Sequence, residues 1–184
     1  MKMVWHDLDK AAFAALPLKA DEGAAENSRT VVISGAGDIK HCLGCFGCWI
    51  KTPGACVIKD GCPAIGQALS RCRELVIISK CVYGSYSPFI RRLWDRSISY
   101  LLPFFVCKNN ITRHQRRYGS HFSLAVHFYG DSSAEEQETA ETLVKANSMN
   151  YNAYPAGIHF YRSVDELAGG MKNSLKDNLK EDLQ

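Results

Sequence analysis

Leu75-Val76-Ile77-Ile78-Ser79-Lys80-Cys81-Val82-Tyr83-Gly84-Ser85-Tyr86-Ser87-Pro88 is the stretch on which the fold turns. Leu75 to Ile78 is continuously apolar, as a strand covered on both faces by helices must be. Ser87-Pro88 then supplies an N-cap followed by a proline in the first turn, where the missing N–H costs nothing. The helix it opens is expected to run through Phe89, Leu93, Trp94 and Ile98 until Pro103 stops it. Upstream, Asp60-Gly61-Cys62-Pro63 gives another helix start, with Ile65, Ala68, Leu69 and Cys72 on one face.

Working outward, the same alternation repeats. Lys2 to His6 reads as a short strand closing on Asp7-Leu8-Asp9, which caps a brief helix from Lys10 to Leu16 that Pro17 ends. Residues 18 to 28 carry no apolar period and read as a loop, and Thr30 to Ser34 is a β-branched strand bounded by Gly35. Beyond the central stretch, residues 107 to 118 look irregular and basic. Ser123 to Tyr129 is a strand ending at Gly130, and Ser133 with Glu136 forms a capping box for a helix whose face is Ala140, Leu143, Val144 and Asn147. Gly157 to Tyr161 is the last strand, followed by a helix marked by Val164, Leu167, Met171, Leu175 and Leu179. Strands alternating with helices predict an α/β fold over residues 1–184, one domain with a five-stranded parallel sheet and helices on both faces.

Composition is consistent with that. The 184 residues are 46% hydrophobic and 22% charged, the make-up of one globular domain. The net charge of +3 is small and the basic residues are not gathered into a run, so no nucleic-acid partner is demanded. No segment is apolar enough to span a bilayer, and the start turns acidic before a signal-peptide core could form, so the expectation is a soluble, cytoplasmic protein without a membrane partner.

Ligands of such sheets sit beyond the carboxyl ends of the strands. Two loops there, Ser79 to Pro88 and Phe128 to Ser133, combine aromatics, glycine and hydroxyls, as a flat heteroaromatic ligand requires; the alternative is an ordinary loop rim. A third feature is the run from His41 to Asp60, which holds half of the eight cysteines: Cys42, Cys45, Cys48 and Cys56. Clustered thiols suit a metal or cluster, or pack as small hydrophobes. Cys62, Cys72, Cys81 and Cys107 read as core or incidental, with Cys62 near enough to substitute as a ligand. His114, among arginines, is a candidate acid or base against a surface residue.

The order of Cys-x-x-Cys-x-x-Cys, Gly54 to Asp60 as Gly-x-Cys-Val-Ile-x-Asp, the Val82-Tyr83-Gly84 loop and a helix ending in Asp95-Arg96 resembles the NAD(P)H-dependent FMN reductase and iron-sulfur flavoprotein families of flavodoxin-like proteins. The likeness is close from about residue 40 to 100 and looser to Tyr129-Gly130-Asp131 and the next helix. It implies a flavodoxin-like three-layer sandwich and a flavin-dependent oxidoreductase passing electrons from NAD(P)H through FMN to a small-molecule or protein acceptor. By resemblance, Val82, Tyr83, Gly84, Ser85, Tyr86 and Ser87 with Tyr129, Gly130 and Asp131 hold the isoalloxazine ring, and Arg91 or Arg96 offers positive charge to its reduced form. Cys42, Cys45, Cys48 and Cys56 match the spacing that holds a 4Fe-4S cluster. In those families a neighbouring subunit completes the site, and the crowding of Trp94, Tyr100, Leu101, Leu102, Phe104 and Phe105 agrees with a homodimer or larger assembly.

The chain departs from the pattern where the FMN phosphate should sit. Asp7-Leu8-Asp9-Lys10 replaces the Ser- and Gly-containing turn after the first strand, and Lys80-Cys81 stands in place of a proline. Two carboxylates repel a phosphate, so the expectation is a phosphate held elsewhere, with Lys108, Arg113, Arg116 and Arg117 as candidates against a solvated surface loop, or flavin binding that is weak or lost. The alternative function is a non-catalytic flavodoxin-like module binding through its cysteine-rich, iron-sulfur or metal loop.

Overall fold

The computed structural model describes residues 1–18, 29–35, 37–62 and 64–181, with side chains to residue 173. Five strands form one parallel sheet: β1 (Lys2–His6), β2 (Thr30–Ser34), β3 (Glu74–Lys80), β6 (Ser123–Tyr129) and β7 (Tyr154–Tyr161), in the order β2-β1-β3-β6-β7. That is the flavodoxin-like order, with β3 at the centre as its unbroken apolar run requires. Leu75, Ile77 and Ile78 of β3 are fully buried.

The two faces of the sheet are covered separately. Met3, Trp5, Leu75, Ile77, Leu124, Val126 and Phe128 pack beneath α3 (Ile65–Arg71), α4 (Pro88–Arg96) and α5 (Ala134–Tyr151). Val4, Val76 and Ile78 face Leu8 and Leu16, beside α1 (Lys10–Ala14), and Leu167 and Met171 of α6 (Val164–Glu181). Each such Leu or Ile contributes about 2 kcal/mol by leaving water. The sequence pattern of β-branched strands and capped helices is therefore realised, including the Ser133–Glu136 capping box of α5 and the Asp9 cap of α1. Pro63, the loop residues 19–28 and the side chains of Leu175 and Leu179 lie outside the described residues, and α3 starts at Ile65 without a side-chain cap.

Two local expectations are corrected. The helix expected to reach Pro103 ends at Arg96, passes through a 3₁₀ turn (Ser97–Tyr100), and Pro103 lies inside a strand. Two hydroxyls end it: Ser97 Oγ and Tyr151 Oη both donate to the Trp94 carbonyl, at 2.8 and 3.1 Å, competing with the helix for that acceptor. The segment read as irregular is half of an antiparallel hairpin, β4 (Leu101–Lys108) with β5 (Ile111–Arg116), closed by Asn109 and Asn110 at φ 53° and 60°. Two consecutive left-handed residues make a two-residue turn whose twist suits a hairpin. The cysteine run also holds a short helix, α2 (Gly47–Ile50). Of the crowded apolar residues, Trp94, Tyr100 and Leu101 are buried, whereas Phe104 and Phe105 point outward from the hairpin. Among the described residues, no helix is long and apolar enough to cross a membrane.

Candidate functional site

The carboxyl ends of β1, β3 and β6 lie side by side, and the loop after β1 spends its polar groups on its neighbours. The Asp7 N–H donates to the Ile78 carbonyl at 3.3 Å. Its carboxylate accepts from the Lys80 N–H at 3.0 Å and from Tyr129 Oη at 3.1 Å. Burial, reinforced by the Asp7 charge, pushes the Tyr129 phenol well above its ordinary range. Asp9 accepts from the Ala12 N–H at 2.8 Å, and the His6 ring stacks on Phe13 at 3.9 Å, where burial lowers its pKa. The cavity at this loop, about 660 Å³, is lined by Asp7, Asp9, Lys10 and apolar groups. Two carboxylates, with the Asp7, Ala12 and Lys80 N–H groups already engaged, do not fit a phosphate.

The loop after β3 is built differently. Val82 and Ser85 exchange backbone hydrogen bonds at 2.9 and 3.0 Å around Tyr83 and Gly84, whose φ values are 51° and 67°. Tyr83 holds a strained left-handed conformation with its ring 89% exposed. A Cβ on Gly84 would stand 2.7 Å from Thr139 Cβ and 2.9 Å from the Glu136 carbonyl, so the turn is pressed onto the start of α5 and only glycine fits. The Cys81 N–H donates to the Tyr129 carbonyl at 2.9 Å, zipping this loop to the one after β6. Gly130, at φ 94°, lies under the Lys80 side chain, followed by exposed Asp131.

The structure thus brings Val82, Tyr83, Gly84, Ser85, Tyr129, Gly130 and Asp131 to one end of the sheet and sends the other expected ring contacts elsewhere. Tyr86 is buried against Phe128 and Trp94, and burial pushes its phenol up to about 12 against the lowering influence of Asn147 and Trp94 beside the hydroxyl. Ser87 caps α4 through the Ile90 N–H and donates its own N–H to Ser79 Oγ at 2.8 Å. Arg91 lines a cavity on the flank of α4. Lys80, the last residue of β3, whose chain lies over Gly130, was noted in the sequence only as standing, with Cys81, in place of a proline, and not as a site residue.

Arg96 is not at the ring end at all. Its guanidinium bonds both Asp60 carboxylate oxygens, at 2.5 and 3.0 Å, and the Lys40 carbonyl at 2.8 Å, with both side chains of the pair fully buried. Asp60 also accepts from the N–H groups of Lys40 and Cys62 at 2.9 and 3.0 Å. These donors, Arg96 first, hold the Asp60 carboxyl far below the ordinary carboxylate range against its burial. The pair therefore clasps both ends of the cysteine loop to α4.

Within that loop Cys42 and Cys45 are exposed, and Cys48 and Cys56 are half-buried. Burial raises the Cys48 thiol, and Cys56, Cys42 and Cys45 raise it further, so each of the three lies within electrostatic range of Cys48. Among the described residues, however, no three His, Cys, Asp or Glu side chains converge as metal ligands do. Cys62 is buried with its thiol pushed up to about 11, an unsuitable substitute ligand. Cys72 and Cys81 are buried and Cys107 is exposed on the hairpin.

The basic segment lies at the far end of the sheet from Tyr83. Arg113 donates to the Met149 carbonyl near the end of α5, Arg117 to the Ser99 carbonyl, and Arg116 meets His121. His114 is fixed between the Leu102 carbonyl, Asn150 and the Phe105 ring, not placed for proton transfer to a ligand at the ring loops.

No family model matches the sequence, and no curated protein matches it. Among solved structures, an azoreductase from Bacillus anthracis str. Sterne aligns over 98% of this chain and 95% of its own, at 11% identity and a TM-score of 0.47.

Proposed function

We propose that the chain is a single flavodoxin-like domain acting as a flavin-dependent oxidoreductase, with electrons drawn from NAD(P)H and passed to a small-molecule or protein acceptor. The observation that carries this reading is the exposed Tyr83-Gly84 turn beside Gly130 at the carboxyl ends of β3 and β6. Tyr83 offers an aromatic face to an isoalloxazine ring, and the two glycines let backbone approach its edge. When bound, a flavin supplies hydride acceptance and electron transfer. Of the chain's own groups, Lys80 offers positive charge over Gly130, the role expected of Arg96, which its ion pair with Asp60 engages. The Tyr83–Gly130 end offers an aromatic face to the ring, whereas the Asp7–Asp9 loop offers carboxylates to the phosphate, so the preferred ligand is flavin recognised by its ring.

Titration with FMN and riboflavin, followed by flavin fluorescence, tests this. Both should bind with similar Kd values, and Tyr83→Ala should weaken both by roughly tenfold through lost stacking. Failure of either flavin to bind overturns the function. FMN binding two orders of magnitude tighter than riboflavin, about the worth of a phosphate held by charge-assisted bonds, overturns the ring-only recognition. A cluster on Cys42, Cys45, Cys48 and Cys56 would need those thiols to converge further, and iron and sulfide analysis of anaerobically purified protein reports on it. A second copy of the chain is the proposed cover for Phe104 and Phe105, 63% and 65% exposed, and sedimentation at micromolar concentration checks it.

A further inference from the structure

A cavity of about 480 Å³ lies beneath the cysteine loop and against the last turns of α5, whereas the Tyr83 turn is pressed onto the first ones at Glu136 and Thr139. Three thiols line it: Cys42 and Cys45, which are exposed, and Cys48, which is half-buried. Among the described residues they do not converge as the ligands of one ion do, so they stand around a space larger than an ion. That space is within the range of small-molecule sites.

The rest of the wall is largely aromatic and held in place. Trp49 donates its Nε1–H to the Leu101 carbonyl at 2.9 Å, and Trp94 meets Tyr151 edge-on at 4.7 Å. Phe46 stacks on Trp49 with centroids 5.5 Å apart and planes 17° from parallel, yet it stays 57% exposed. Its backbone is left-handed at φ 56°, which a bulky side chain adopts only under constraint. A large apolar ring held under strain at the rim of a cavity, and not in the core, offers a face to a flat ligand. Two polar groups narrow the chemistry of that ligand. Asp95 lines the wall and repels an anion. Asn150 lines it as well, and because its oxygen accepts from the His114 N–H at 3.0 Å, its NH₂ group is the side of the amide that can donate to a ligand carbonyl.

We propose that this slot captures a neutral aromatic enone by covalent addition to Cys42 or Cys45. The thiol sulfur bonds the β-carbon of the enone, the carbon–carbon double bond opens, and the α-carbon takes the proton that the thiol gives up. No oxidant or reductant is consumed. The aromatic ring lies between Phe46 and Trp94, which raises the local concentration of the electrophile at the thiols. The site needs no flavin, so it stands or falls independently of the proposed reductase function.

N-Phenylmaleimide is a suitable probe, with N-ethylmaleimide as the counterpart that lacks the ring, and peptide mass mapping of briefly treated protein gives the rate at each cysteine. Cys107, exposed on the hairpin and outside the cavity, is the internal reference. The expected result is a phenyl-to-ethyl rate ratio at Cys42 or Cys45 roughly tenfold above that at Cys107, the rate worth of one aromatic stack. Phe46→Ala, at an exposed position outside the core, should return the ratio to that of Cys107 and leave the ethyl rates unchanged. Equal ratios at Cys42, Cys45 and Cys107 overturn the proposal, because the thiols then react as free surface groups. So does a raised ratio that survives Phe46→Ala, or the sparing of Cys42 and Cys45 by both reagents, as when a cluster occupies them.

Discussion

The two ends of α4 present the same chemistry and use it in opposite ways. At its carboxyl end Arg96 is fully buried, its guanidinium divided between Asp60 and the Lys40 carbonyl, and it holds the cysteine loop in place. At its amino end Arg91 is exposed on a cavity, and the turn before the helix leaves Tyr83 in solvent. An arginine in a motif is thus a fixture or a ligand contact according to whether an acceptor is already packed against it. Whether a polar group already has a packed acceptor, and not its residue type, separates the two ends.

Removing Asp60 should break the contrast most severely. Asp60→Ala leaves Arg96 buried and unpaired and should cost about 3–5 kcal/mol in urea denaturation. A loss below about 1 kcal/mol would mean that the pair is not buried in solution. The same pair sets an acid limit. Because the folded Asp60 pKa is depressed, its contribution is present above the unfolded carboxylate pKa, about 4, and is lost as pH falls through the folded value. Stability should therefore fall on acidification below about pH 4, and Asp60→Asn should flatten that part of the profile.

Effects should shrink toward the other end. Gly84→Ala meets both a left-handed backbone and the Thr139 and Glu136 contacts, and should cost about 2 kcal/mol. Ser87→Ala removes the α4 cap and should cost about 1 kcal/mol. Arg91→Ala should change stability by no more than about 0.5 kcal/mol, as an exposed side chain with no partner among the described residues does. Thermal melts of the three variants rank them, and an Arg91→Ala cost approaching that of Asp60→Ala would erase the distinction between the two ends.

Much of this was legible from residue order. The apolar run of β3, the β-branched β2 and the caps of α4 and α5 named the elements, and alternation named the sheet, because local pattern and tertiary environment agree there. The β4–β5 hairpin was hidden because its outward Phe104 and Phe105 break the rule that large apolar residues point inward. Asn109-Asn110, both tolerant of positive φ, was the signal that could have revealed it. The fate of Arg96 was not legible, since Asp60 reaches it only through a fold that returns the cysteine loop to α4. Nor was the course of Tyr86, which turns inward from a loop whose Tyr83 is exposed.

That hairpin carries a consequence for how the molecule opens. Its base is tied down: the Leu101 carbonyl accepts from Trp49 Nε1 at 2.9 Å and the His114 N–H is held by Asn150 at 3.0 Å. Its tip has only its own ladder, and it forms a two-stranded sheet separate from the main one. An isolated pair of strands is marginal in water. Amide hydrogens near Asn109 should therefore exchange with solvent fastest, those near Leu101 more slowly, and those of β3 only on global unfolding, giving a gradient of protection along one hairpin.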